Sequence, residues 1–170
     1  MIGLFNLLPV LPLDGGKVLQ CLLGYMIPYH RSIVSCALIS MFFSLIIIAL
    51  ATYQLVKGQL PLNLFVIGLF LLISNWVSYR QIPFHFFRFL MSRGHQMSRL
   101  FVRGALAQPI VVEEHRRISA VLKLFMREKY HLIYVVNPQG RIQGVLPEQR
   151  LVNEYLDGKK PGSAVSELFM

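Results

Sequence analysis

Acidic side chains are scarce in this 170-residue chain, and Asp14 is the only carboxylate before Glu113. The run around it is otherwise apolar enough to sit in lipid. Cysteine is nearly absent as well. Cys21 and Cys36 both sit in apolar stretches, which excludes a disulfide framework and a cysteine zinc site and makes them buried small hydrophobes. The first ten residues lack the basic region and small-residue cleavage site of a signal peptide, so the sequence reads as a chain entering in mid-fold. The five histidines, His30, His85, His95, His115 and His131, stand apart, and none has a Glu and a second His beside it.

What is present is hydrophobic residues, at 55% of the chain with a mean hydropathy of +0.54, too apolar for an ordinary soluble domain. Charge is uneven: from Arg80 onward lie 14 of the 17 Lys and Arg and seven of the eight acids. The first half therefore reads as membrane and the second as water-facing. Ile33 to Val56, 24 residues without a charge, is long enough for a transmembrane helix, and Leu62 to Tyr79 gives a second span after a Lys57–Pro61 turn. Trp76 and Tyr79 suit the headgroup level. Gly16 to Ile27 is a shorter apolar run that crosses most of a bilayer only together with the stretch before it.

Arg80 to Arg103 carries five arginines and no acid directly after an apolar segment. Such a cluster reads as binding anionic headgroups and fixing topology, not as a nucleic-acid surface. Phe84, Phe86, Phe87, Phe89 and Leu90, mixed with Arg88, Arg93 and Arg99, suit a helix lying in the interface. His30, His85 and His95 are read there as interfacial side chains, since no carboxylate or cysteine converges on them.

Asn6 to Val18 reads Asn-Leu-Leu-Pro-Val-Leu-Pro-Leu-Asp-Gly-Gly-Lys-Val. An ionisable group at membrane depth is costly and faces a cavity, a partner or a metal. Pro9 and Pro12 cannot share one regular helix, so the stretch is expected to be extended up to about Leu13, with a helix starting after Asp14. Gly15 and Gly16 would admit a close backbone or a bound group. As an alternative, Asp14 is a helix N-cap and Asn6 a turn residue.

Asn-x-x-Pro-x-x-Pro-Leu-Asp-Gly-Gly resembles the second metal-site motif of the site-2 family of intramembrane zinc metalloproteases, in particular its stage IV sporulation FB type, which carries a CBS domain after its membrane part. The resemblance implies that Asp14 is the third zinc ligand and that Asn6 positions substrate or stabilises the oxyanion. The family's other two ligands and its general base come from a His-Glu-x-x-His, which this sequence lacks.

From Ala107 the pattern becomes that of a small α/β unit. Ile110 to Val112 is a strand, Ile118 to Lys129 a helix, Leu132 to Val136 a strand, Asn137 to Gly140 a turn, Arg141 to Leu146 a strand and Glu148 to Tyr155 a helix. This order resembles a single CBS motif, a unit that usually pairs and in some cases binds adenine nucleotides. CBS motifs often place a ribose-binding carboxylate where Arg150 stands, a residue that would favour phosphate or nothing, so pairing is the inference taken from the resemblance.

The expected fold is thus an α-helical membrane protein, a partial site-2 protease core with a helical hairpin, followed by a small α/β CBS-like domain. Residues 1–79 form the transmembrane region (motif 6–16, spans about 14–27, 33–56 and 62–79), 80–106 a basic interfacial linker and 107–170 the CBS-like domain. The expected function is a fragment of an intramembrane zinc metalloprotease, inactive alone, that acts on membrane-associated proteins such as a sigma-factor precursor. A non-catalytic membrane-anchored CBS module or pseudoprotease is the alternative. The bilayer, a membrane-associated substrate and a second CBS-like unit are the expected partners, and nucleic acid is not. The chain is placed in the cell membrane as a multi-pass protein, with its CBS-like domain cytoplasmic. The positive-inside rule then predicts that cysteines introduced at positions 59 and 95 are labelled from opposite sides of the membrane; labelling of both from one side overturns the hairpin.

Overall fold

The computed structural model describes residues 6–58, 61–104, 106–157 and 162–168, with the side chains of residues 95–103 excepted. Gln59 and Leu60, in the expected turn, and the side chain of His95 lie outside the described residues. The chain forms two compact units, Met1–Ile27 with Arg31–Phe84, and Pro28–His30 with His85–Met170.

The first unit is built from helices α1 (Asp14–Met26), α2 (Tyr29–Val56, whose first two residues belong to the second unit) and α3 (Leu62–Arg80). Among the described residues α2 and α3 are the helices long and apolar enough to cross a membrane, by length and composition. Helix α1 falls within the expected 14–27 stretch and has 13 residues, about 20 Å of helix against a hydrocarbon core of about 30 Å. The stretch before it adds little reach because it is not extended. Val10 N–H bonds the Leu8 carbonyl at 2.7 Å and Leu13 N–H bonds the Val10 carbonyl at 2.9 Å, so the two prolines are accommodated in tight turns, with Leu11–Pro12 cis.

Large apolar side chains on α2 and α3 point outward, including Phe42 at 63% and Phe70 at 62% exposure. The inward side of α2 is small and polar: Ser32, Cys36, Ala37, Ser40, Ser44 and Ala51 are buried. Small residues of this kind let helix backbones approach. On α3, Gly68 does the same, since a Cβ there would stand 2.8 Å from the Ile48 side chain. Buried Asn75 donates to the Leu71 carbonyl at 2.8 Å.

The second unit contains most of α4 (Ile82–Arg103), then β1 (Ala107–Glu113), α5 (Ile118–Leu122), β2 (Tyr130–Val136), β3 (Ile142–Pro147), α6 (Glu148–Leu156) and a short 3₁₀ turn (Val165–Leu168). The sheet order is β1-β2-β3, with β1 parallel and β3 antiparallel to β2. Along β2, His131, Ile133 and Val135 point into the core and alternate with half-buried residues. Asn137 Oδ1 closes the β2–β3 turn by accepting from the Gln139 and Arg141 amides at 3.1 and 2.8 Å.

Two expectations change here. The stretch read as an interfacial linker instead contributes to a protein core: Phe86, Phe89, Leu90 and Arg93, spaced i, i+3, i+4, i+7 on α4, are buried, the first three in one cluster with Val121, Phe125, Ile133 and Leu151. The helix expected over Ile118 to Lys129 ends at Leu122. Beyond it the chain tightens into turns, Leu124 N–H to Val121 O at 2.9 Å and Phe125 N–H to Leu122 O at 3.1 Å. The Met126 and Lys129 carbonyls turn to Arg93, which donates to them at 2.8 and 2.6 Å.

Arg93 is 1% exposed and its guanidinium grips Glu148 with two bonds, Nε to Oε1 at 2.9 Å and Nη2 to Oε2 at 2.8 Å. Its plane lies over Phe89 and Phe125, 5.1 and 4.9 Å from the ring centroids. His131 completes the cluster. Met126 N–H donates to its Nε2 at 3.3 Å, so in the neutral ring Nδ1 carries the proton and donates to Glu148 Oε2 at 3.0 Å. Arg93 Nη2, 3.0 Å from the same Nδ1, is then a contact between two hydrogen-bearing groups and not a bond. The backbone N–H of His131 adds a further bond to Oε2 at 2.9 Å. Burial alone pushes the Glu148 carboxyl up, but the hydrogen bonds from His131 and Arg93 and the guanidinium charge outweigh it and hold the group below its ordinary 4.5.

A carboxyl depressed in the folded state adds stability that is complete above the unfolded value and is lost as pH falls through the folded one. The protection factors of the β2 amides, corrected for intrinsic exchange at each pH, are therefore expected to fall below about pH 4.5. Glu148→Gln should remove that acid sensitivity while destabilising the unit by about 3–5 kcal/mol, because Arg93 stays buried without its counter-charge. Unchanged β2 protection in Glu148→Gln would show that the pair is dispensable.

Candidate functional site

The motif at the head of α1 is held together by its glycines. A Cβ on Gly15 would collide with the Leu7 and Leu8 carbonyls, and one on Gly16 would stand 2.6 Å from Leu11 N and Val10 C. The close partner admitted by the glycine pair is thus the motif's own backbone. Leu7, next to Asn6, lies against Gly15, next to Asp14, so both ends of the motif converge at the start of α1. Leu11 N–H, left over by the turns, donates to Ser40 Oγ on α2 at 2.8 Å. Irregular backbone at membrane depth survives where protein satisfies it in this way.

Asn6 is half-buried. Asp14 is the first residue of α1, with Leu13, extended at φ −65° and ψ 160°, as the N-cap and no side-chain capping bond. The alternative reading of Asp14 as a capping residue is thereby corrected. The Leu13 carbonyl accepts from Gly16 and Lys17 N–H at 3.1 and 3.3 Å, which sets the helix start one residue earlier. The Asp14 carboxylate, 71% exposed, instead pairs with Lys17 Nζ at 3.0 Å, one turn on.

Among the described residues no group of three or more His, Cys, Asp or Glu side chains is placed to hold a metal ion. His30 packs edge-on to Phe86 with ring centroids 5.4 Å apart. A zinc site takes three or four protein ligands, so the described residues do not make one by themselves. Asp14 offers one carboxylate. Arg150 is engaged with protein: Nη2 donates to the Leu168 carbonyl at 2.6 Å.

The Arg93–Glu148–His131 cluster was not anticipated. One signal was available, because Arg93 falls on the same i, i+3, i+4, i+7 stripe as Phe86, Phe89 and Leu90. The partners Glu148 and His131, 55 and 38 residues away along the chain, left no local trace.

Fold and site together define a mostly helical chain with two helices fit to cross a membrane, a turn-rich Asn-to-Asp motif at the head of a third, and a small three-stranded sheet unit. No protein-family model matches it. The chain is similar to Stage IV sporulation protein FB of Bacillus subtilis (strain 168), with 28% identity over 165 residues, 97% of this chain and 55% of that protein. It spans about half the length of the curated relative it matches.

Gly15→Ala is expected to displace the Leu7–Leu8 turn and destabilise the helical unit by about 1–3 kcal/mol, the range for overpacking. At Gly24, where a Cβ would meet only Ser32 Oγ at 3.9 Å, alanine should be neutral or add about 0.5–1 kcal/mol. Denaturation of both variants in mixed detergent checks the difference.

Proposed function

We propose that this chain is part of an intramembrane zinc metalloprotease of the site-2 type that cleaves membrane-associated proteins, contributing Asp14 as a zinc ligand and Asn6 as a group that positions substrate or stabilises the oxyanion. The observation that carries the reading is the Asn6-to-Gly16 motif, folded so that its glycines bring both polar ends to one helix start. The similarity over nearly the whole chain to a sporulation protein supports it. The remaining zinc ligands and the general base come from outside these residues, so the chain alone is inactive.

Residues 107–170, within the second unit, are read as a CBS-like domain on the cytoplasmic side. Its β-α-β-β-α order supports this, and so does the sheet face turned away from α5 and α6. There Val111, Tyr134 and Val145 stand in register across the three strands, with Val111 65% and Val145 46% exposed. An apolar face of this kind suits pairing with a second such unit. The competing reading, a non-catalytic membrane-anchored module or pseudoprotease, draws on the absence of a metal-holding cluster among the described residues and on the Asp14–Lys17 pair.

Supplying a membrane segment that carries His-Glu-x-x-His from a close relative tests the two. The complemented pair is expected to cleave a membrane-tethered test substrate that the chain alone leaves intact. Asp14→Asn should abolish cleavage, since an amide is a weak metal ligand. Asn6→Ala should lower turnover by about 10²–10³-fold, the loss expected for one oxyanion donor, while zinc stays bound. Cleavage that survives Asp14→Asn rules out the ligand role, and a complemented pair that stays inactive favours the non-catalytic reading.

A further inference from the structure

We propose that a cleft in the second unit, lined by Tyr29, His85, Arg88, Phe89, Ser92 and Arg127, is a binding site for a phosphate-bearing anion. The cavity measures about 300 Å³, at the lower end of the range for small-molecule sites of roughly 300–1,000 Å³. Three pieces of chain build it. His85, Arg88 and Ser92 are spaced i, i+3, i+7 on α4, beside the buried stripe. Arg127 comes from the turns that replace the end of the expected helix. Tyr29 is pinned between them: its N–H donates to the Phe125 carbonyl at 3.0 Å, and its ring stacks on Phe89 at 4.1 Å.

The charge in the cleft is all of one sign. No carboxylate lines it, and neither Arg88 nor Arg127 forms an ion pair with any described residue. The neighbouring arginines differ: Arg93 is saturated by Glu148 and two carbonyls, and Arg150 is bonded to the Leu168 carbonyl. Both arginines border the cavity from the exposed surface, so their guanidinium groups are free to close on an anion that enters it. Their planar donor forks match phosphate oxygens in two-bond geometry. Ser92 spends its hydroxyl proton on the Phe89 carbonyl at 2.9 Å, which leaves the arginines, His85 and the Tyr29 hydroxyl as the donors. The Tyr29–Phe89 stack supplies a flat apolar wall for whatever carries the phosphate.

The chain order indicates the source. Tyr29 begins α2, and His85 follows the last residue of α3 by five. In a helical hairpin these two ends lie on the same side of the membrane, at headgroup level. Anionic phospholipid is therefore the expected carrier. That choice rests on reading α2 and α3 as spans, whereas the phosphate site itself does not.

The test uses the whole chain in two arms. In phosphatidylcholine nanodiscs, glycerol 3-phosphate and inorganic phosphate are titrated calorimetrically. In nanodiscs doped with spin-labelled lipids, the preference for phosphatidylglycerol over phosphatidylcholine is read from the immobilised fraction. Lipid preference is expected to fall about fivefold in each of Arg88→Gln and Arg127→Gln. It should fall partly in Arg88→Lys, which keeps charge but loses the fork, and not at all in Arg116→Gln, exposed and outside the cleft. If the soluble phosphates bind in an Arg88- and Arg127-dependent way but lipid preference does not respond, the site stands with a soluble ligand and the headgroup placement fails. If neither arm depends on Arg88 and Arg127, or Arg116→Gln loses as much, the proposal is overturned.

Discussion

The bidentate bond between Arg93 and Glu148 constrains more of this protein than any other single interaction. Both side chains are about 1% exposed, and a charge in such surroundings is tolerated only with its donors and acceptors satisfied. Satisfying them draws in much of the second unit. Arg93 takes the carbonyls of Met126 and Lys129, which fixes the segment beyond α5 that carries Arg127. Glu148 takes the amide and ring of His131, which ties the start of α6 to β2. Helix α4, sheet and α6 are thus positioned by one charge pair wrapped in aromatic rings.

The helical unit solves a related problem without charge. Its motif abandons regular structure, and the backbone groups released must be paired within the protein. Tight turns take most of them, and Ser40 takes the Leu11 amide. The two glycines then allow the turns to lie flat against α1. A polar motif in an apolar setting is here stabilised by small residues and one hydroxyl.

Strongly periodic or long apolar segments were legible in the sequence. The two long helices needed only the count of uncharged residues, and the strands and the Asn137 turn followed from β-formers bracketing turn residues. Tertiary competition was not legible. Pro9 and Pro12 excluded a helix, yet did not distinguish an extended chain from successive turns, because the choice depends on carbonyls meeting Gly15 and Gly16. The alternation of Phe and Arg along α4 fitted an interface as well as a core. Only the distant Glu148 determines that Arg93 goes inward. Of the candidate site, Asp14 and Asn6 stood out by type and spacing, and Lys17, one turn from Asp14, was legible as its partner, but the absence of a capping bond depends on where the helix begins.

The contrast between the Arg93–Glu148 and Lys17–Asp14 pairs has a consequence for exchange. Glu148 cannot change partner without opening a core. Asp14 and Lys17, with side chains 71% and 66% exposed, can separate by a rotamer change, a nanosecond event with little energetic penalty. The shape of the motif therefore cannot depend on that exposed pair: it is kept by the turns and by the glycine contacts with the Leu7 and Leu8 carbonyls, which persist when the two side chains part.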